Sequence, residues 1–320
     1  WKRTSDDWTK NSAIDINNNA KIKESINALN RLGFFQSVKY NVRKTEITNA
    51  VDIIINVEET NTGSISFGIG YSSLDGTGFN FGLNEKNFLG EGRRARFELS
   101  TSAKKTTYNI GMTEPYFMDR PISLSSDIYN QETENSAGDV KSDRSGISFG
   151  LGVKEDLKFH SLSYNLSESQ TTTSATSSAL SSTGEEGVNI VTSSFKYLIK
   201  EDTRDNYFNP TSGFFHQTRF TLAPTGISDD DHFKISSVNN FYFNNAINEN
   251  SFFIISKIGI ASGLSSKLKT KDSFSLGGDF KGFQNSGIGP RDSSLNYLGG
   301  SKMYQLTIGY ATPFLFDNSD

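Results

Sequence analysis

The residues able to do chemistry are few, and the densest group is Asp229-Asp230-Asp231-His232. Three carboxylates beside an imidazole could ligate a divalent metal ion. The run stands just before a stretch of alternating hydrophobicity, so it reads as an acidic outer loop entering a strand, and no metal is expected. His160 and His216 complete the three histidines. A serine hydrolase would need a glycine-flanked nucleophile elbow, a histidine and a third group. Serines abound, but no such elbow is expected among them. Gly68-Ile69-Gly70 lacks the third glycine of a dinucleotide-binding loop and sits inside an alternating stretch. The chain has no cysteine, which excludes disulfides, thiolate chemistry and cysteine metal sites. These residues call for no cofactor, and the chain reads as a non-enzyme.

Elements, then, carry the function. The chain has 320 residues, 34% hydrophobic, with 25 Phe, 12 Tyr and 28 Gly, and no run reaches the about 18 apolar residues of a membrane helix. A polar chain rich in aromatics and glycine suits a membrane β-barrel, where only alternate residues meet lipid. The net charge of −4 offers no electrostatic case for nucleic acid. The chain opens at Trp1 without a leader, and it reads as a fragment.

Residues 1–61 form a separate small module. Asn17-Asn18-Asn19 can cap a helix from about Ala20 to Leu32, with Ile22, Ile26, Leu29 and Leu32 on one face and Gly33 at its end. Val38, Tyr40 and Val42, then Val51, Ile53, Ile55 and Val57, alternate as two strands. Such a piece is too small to bury a core alone.

Residues 62–320 follow a period of two. Ser64-Ile65-Ser66-Phe67-Gly68-Ile69-Gly70-Tyr71 puts four apolar side chains on one face and only Ser or Gly on the other. The rhythm recurs in strands expected near 64–72, 77–89, 93–102, 105–113, 121–131, 144–155, 159–170, 189–200, 213–223, 232–243, 251–262 and 302–312. Linkers 132–143, 171–188, 224–231 and 263–301 are long and polar, while 156–158, 201–212 and 244–250 are mostly shorter. Long outer loops alternating with short periplasmic turns mark an outer-membrane barrel; a sandwich has no reason to sort its loops. The Ser/Thr tract from Ser167 to Ser182 reads as a flexible outer loop. Arg93, Arg94 and Arg96 are expected to face the lumen or lie near a turn. Gly68 and Gly70 weaken the first strand's inner face.

Several segments resemble one family. They are Arg31-Leu32-Gly33-Phe34-Phe35-Gln36-Ser37-Val38, Thr60-Asn61-Thr62-Gly63-Ser64, Phe88-Leu89-Gly90-Glu91-Gly92, Thr113-Glu114-Pro115-Tyr116-Phe117, and Asp202-Thr203-Arg204-Asp205 with Asn209-Pro210-Thr211-Ser212-Gly213. Most specific is Gly277-Gly278-Asp279-Phe280-Lys281-Gly282-Phe283 followed by Gly287-Ile288-Gly289-Pro290-Arg291-Asp292. In order and spacing these resemble the BamA family of outer-membrane assembly factors, whose members join POTRA domains to a barrel.

The resemblance implies an all-β, antiparallel transmembrane barrel of about sixteen strands. About twelve of these lie in 62–320, preceded by the C-terminal part of a POTRA domain in 1–61. It implies a non-enzymatic activity, the insertion of barrel proteins into the bacterial outer membrane by strand templating at a lateral seam. The expected seam strand is Ser64 to Tyr71. The expected lumen-loop motif comprises Gly278, Phe280, Lys281, Gly282, Phe283, Gly289, Pro290, Arg291 and Asp292. The 263–300 loop is expected to fold back into the lumen, with Phe274, Phe280, Phe283 and Ile288 as apolar anchors. Implied partners are unfolded outer-membrane clients, outer-membrane lipids and lipopolysaccharide, and periplasmic lipoproteins. One departure is that Lys281 replaces the family's loop arginine, and 301–316 contain no carboxylate to pair with it. A related secretion pore (a translocation and assembly module barrel or a two-partner secretion transporter) is the alternative, and a passive porin comes third. A porin needs neither the periplasmic module nor the Gly282-Phe283 loop.

Overall fold

A computed structural model describes residues 19–45, 51–72, 76–134, 140–173, 186–245, 250–278, 280, 282–283, 287–291, 295 and 297–312. Helix α1 spans Asn19–Leu32, and Ile22, Ile26, Leu29 and Leu32 are its half-covered positions, the face expected from their spacing. Gly33, at φ +68°, ends it in a conformation that costs glycine little. Asn17 and Asn18 of the expected cap lie outside the described residues. Strands β1 (Phe35–Lys44) and β2 (Val51–Glu59) pair antiparallel in a separate two-stranded sheet.

The remaining strands form one antiparallel sheet of twelve in sequence order. They are β3 (Gly63–Ser72), β4 (Gly76–Phe88), β5 (Arg93–Ser102), β6 (Lys105–Glu114), β7 (Ile122–Glu134), β8 (Val140–Glu155), β9 (Lys158–Thr173), β10 (Asn189–Asp202), β11 (Gly213–Ala223), β12 (His232–Asn245), β13 (Asn250–Gly263) and β14 (Lys302–Ala311). Strands β7, β8 and β9 run further outward than their alternation suggested. The expected 132–143 linker therefore shrinks to the five residues between Glu134 and Val140, and the Ser/Thr tract begins inside β9. Its residues 174–182 lie outside the described ones.

Burial is inverted relative to a water-soluble protein. Only Ile190, Ala223, Ala261 and Phe274 are buried hydrophobics among the described residues, while Asn165, Ser167, Ser169, Thr192 and Ser194 are among the buried polar ones. Along β8, Ile147, Phe149 and Leu151 are exposed, and the intervening Gly146, Ser148 and Gly150 are partly covered. An apolar outside over a polar inside is the pattern lipid selects, because hydrocarbon then replaces the missing core. Glycine lets inner aromatics lie flat along the wall. Tyr129 of β7 crosses Gly146 of β8 and donates its hydroxyl to Asn165 Oδ1 of β9 at 2.9 Å.

The sheet does not close. Among the described residues β3 pairs with β4 alone and β14 with β13 alone.

Candidate functional site

Strand β3 holds the expected seam residues and is the sheet's N-terminal edge. Its register with β4 runs from Gly63↔Glu85 to Ser72↔Gly76. Ile65, Phe67, Ile69 and Tyr71 are 65–81% exposed on the face that continues through Leu83, Phe81 and Phe79 of β4. On the opposite face Ser66 donates to the Gly82 carbonyl at 3.5 Å, Gly68 stands against Asn80, and Gly70 has open space where a side chain would be. β3 is thus held to β4 by its ladder and by little side-chain packing.

The expected lumen loop joins β13 to β14. Lys281 and Asp292 of the motif lie outside the described residues. Phe280 and Phe283 meet edge to face at 6.4 Å, and Gly282 turns at φ +91° between them. Arg291 donates to the Leu295 carbonyl at 2.8 Å, and Leu298 N–H to the Pro290 carbonyl at 3.0 Å. Gly278, Gly289 and Pro290 are exposed, as is Phe283, which is therefore no apolar anchor. The anchor is Phe274, 7% exposed, whose backbone exchanges two hydrogen bonds with Gly300 (2.8 and 2.9 Å). Its ring lies against Gly259 on the inner wall, with Lys234 Nζ 4.5 Å from the ring centre. Gly309, an inner-face residue, stands under the Phe253 ring.

Two chemical readings are corrected. Asp229-Asp230-Asp231-His232 is no solvated loop: Asp230, Asp231 and His232 are 1%, 3% and 2% exposed. The side chains of Ser265 and Thr225 (Thr225 Oγ1 at 2.6 Å), with the Ser265 N–H at 3.2 Å, hold the Asp231 carboxyl below the usual carboxylate range. Gly146-Ile147-Ser148-Phe149-Gly150 does spell the glycine-flanked serine pattern that was not expected. It lies in mid-strand, with Ser148 between Asp127 of β7 and Asn165 of β9 and no helix after it, so it lacks the elbow's sharp turn. The arginines sort as expected for a lumen or turn. Arg96 pairs with Asp127 at 2.5 Å, and Arg93 with Glu91 and Glu114 at 2.8 and 3.0 Å.

The turn between β10 and β11 is built on Asp205. Its carboxylate accepts from the N–H groups of Asn206, Thr211 and Ser212 (2.9, 3.0 and 3.2 Å) and from the Thr211 hydroxyl at 2.6 Å. The Thr211 hydroxyl leads these bonds in holding the Asp205 carboxyl far below its ordinary range. A depressed carboxylate contributes order above its unfolded pKa of about 3.9 and loses it as pH falls toward the folded value. Proteolysis of this turn should therefore stay slow at a pH near 4 and accelerate only in stronger acid. Asp205→Ala should bring rapid cleavage at neutral pH. Slow cleavage of that variant at every pH would show that the carboxylate does not order the turn.

A twelve-stranded sheet with an apolar outside, a polar inside and a loop rooted on the inner wall defines a transmembrane β-barrel wall. Residues 87–320 match the Omp85 superfamily domain, and the chain belongs to that superfamily. It is 27% identical over 94% of its length to the outer membrane protein assembly factor BamA of Nitratidesulfovibrio vulgaris. It is 28% identical over 88% of its length to BamA of Neorickettsia risticii, and it spans 38% of each of these relatives. Among solved structures, BamA of Haemophilus ducreyi lacking POTRA domains 1–3 superposes with a TM-score of 0.84 at 22% identity, covering 92% of this chain and 62% of that one. CdiB of Acinetobacter baumannii superposes at 0.53 and 12% identity, covering 91% and 54%. The chain is an outer-membrane protein.

Proposed function

We propose that this protein assembles and inserts β-barrel proteins into the bacterial outer membrane, with β3 as the templating edge. The single observation that carries this reading is the sparse hold on β3: its inner face of Ser66, Gly68 and Gly70 packs almost nothing against β4, while its apolar face is exposed. A strand so held can release a neighbour and pair with an incoming one at small cost, which is β-augmentation. Homology to relatives named as assembly factors supports the same reading. On it, residues 1–61 are the end of a periplasmic POTRA domain that receives unfolded clients. The partners are those clients, outer-membrane lipids with lipopolysaccharide, and periplasmic lipoproteins. The 278–292 motif belongs to a loop that fills the lumen. A related secretion pore is the alternative, and the likeness to CdiB reaches only the fold.

The test is site-specific photocrosslinking in cells making the full-length protein. Crosslinkers at Ile65 and Tyr71 should capture outer-membrane barrel proteins while these are being synthesised, and a crosslinker at Phe149 in mid-sheet should not. Equal capture at all three positions, or none at β3, would refute edge templating.

A further inference from the structure

The buried ionic cluster at the root of the 263–301 loop has no counterpart in the loop motif. Lys271 Nζ donates to Asp230 Oδ2 in a short contact, to Asp272 Oδ2 at 2.6 Å and to Thr192 Oγ1 at 3.3 Å. Lys271 and Asp272 come from the loop, Asp230 from the entry to β12, and Thr192 from the inner face of β10. The three charged side chains are only 1–13% exposed. His232 closes the cluster, its Nδ1 3.0 Å from the Asp230 carbonyl and its Nε2 3.8 Å from Asp272 Oδ1. From beneath, Lys234 Nζ donates to the carbonyls of Asp272 and Ser273 at 2.8 and 3.4 Å.

Two identities are open to such a group. Asp230, His232 and Asp272 offer ligand atoms within 4.8 Å of one another, as a metal site would. The ammonium of Lys271 already bonds two of the three, so the position a cation would take is filled by the chain itself. Burial raises both carboxyls. Hydrogen bonds from His232 and Asp272 and the charge of Lys271 overcome this at Asp230 and hold it ionised, while Asp272 stays raised by burial and by its bond to Asp230.

We infer that Lys271 is the positioning residue that clamps the root of this loop to the inner wall, through Asp230 and Thr192. The clamp is distinct from Lys281, and it ties the loop to two strands, β10 and β12, with β11 between them. Losing the ammonium leaves the buried Asp230 carboxylate without its lysine, with only His232 and Asp272 beside it, a state the protein escapes by admitting water and lifting the loop. This inference rests on the outer-membrane barrel reading, but not on what the barrel assembles.

These 320 residues contain no cysteine, so once any cysteine elsewhere in the full-length protein is replaced by serine, a single Leu276→Cys is a unique probe of the loop root. Intact cells carrying the full-length protein are treated with a membrane-impermeant maleimide. Labelling should be slow in the otherwise unmutated protein, rise at least about tenfold with Lys271→Met or Asp230→Asn, and return to near the starting rate with Lys271→Arg. Heat-modifiable migration on a gel checks that each barrel is folded. Should Lys271→Met fail that check, Thr192→Val removes one contact without unpairing a charge and should raise labelling about threefold. Labelling that stays within twofold in the folded variants overturns the clamp. So does a rise on chelating metals from the unmutated protein, since a metal and not the ammonium would then hold the site. A failure of barrel folding in the unmutated protein would instead strike at the outer-membrane reading.

Discussion

Phe149→Arg should destabilise the protein in a bilayer by about 2–4 kcal/mol, while Ser148→Lys, one residue away, should cost less than about 1 kcal/mol. Phe149 lies on the outer face of β8, 50% exposed, within the apolar stretch Ile147–Val153. Its cross-strand neighbours are Ser126 and Tyr164. A guanidinium there sits deep in hydrocarbon without a partner. Ser148 points inward between Asp127 and Asn165, so a lysine there meets water and a carboxylate already paired with Arg96. Single-residue parity decides the sign, because successive side chains of a strand face opposite ways. Urea titration of the full-length protein folded into lipid vesicles reads both variants. Equal penalties would mean that β8 does not separate lipid from lumen.

Parity is also why the wall was legible from sequence. Each of the twelve strands lies within a few residues of the stretch expected for it, because lipid rewards alternation along the whole strand. Gly33 and the Ile22, Ile26, Leu29, Leu32 face fixed the helix for the same local reason. Long-range partners were not legible. Asp229 to His232 looked like an acidic outer loop because no cation nearby in sequence pairs with it. The cation that makes burial tolerable is Lys271, about forty residues on and across a loop. The motif itself drew attention to Lys281 and Phe283, where family resemblance is strongest. Of the four expected apolar anchors Phe274 is the buried one; Lys271, beside it at the loop's root, is an ordinary residue type that nothing in the sequence singled out. Tyr129 crossing Gly146 is a third case: the glycine was visible, but the aromatic that needs it belongs to the neighbouring strand.

Gly259→Val should dislodge the loop root and cost about 1–3 kcal/mol, as overpacking does. A Cβ on Gly259 would overlap the Phe274 ring, and the ring has no easy retreat. Lys234 lies over it, the Phe274 backbone is bonded both ways to Gly300, and the Tyr297 hydroxyl donates to the Phe274 carbonyl. The added methyls must displace Phe274, and Lys234 then loses the ring beneath its ammonium. Gly70→Val is the control, since a Cβ there meets open space and its cost should stay within about 0.5 kcal/mol. Phe274→Ala alone should cost about 3–5 kcal/mol, because it empties a buried ring site. In that background Gly259→Val has room, and its further cost should fall to near zero or reverse. A double-mutant cycle on urea midpoints in vesicles measures this coupling. Strict additivity would mean that Phe274 does not rest on Gly259, and that the loop is rooted elsewhere on the wall.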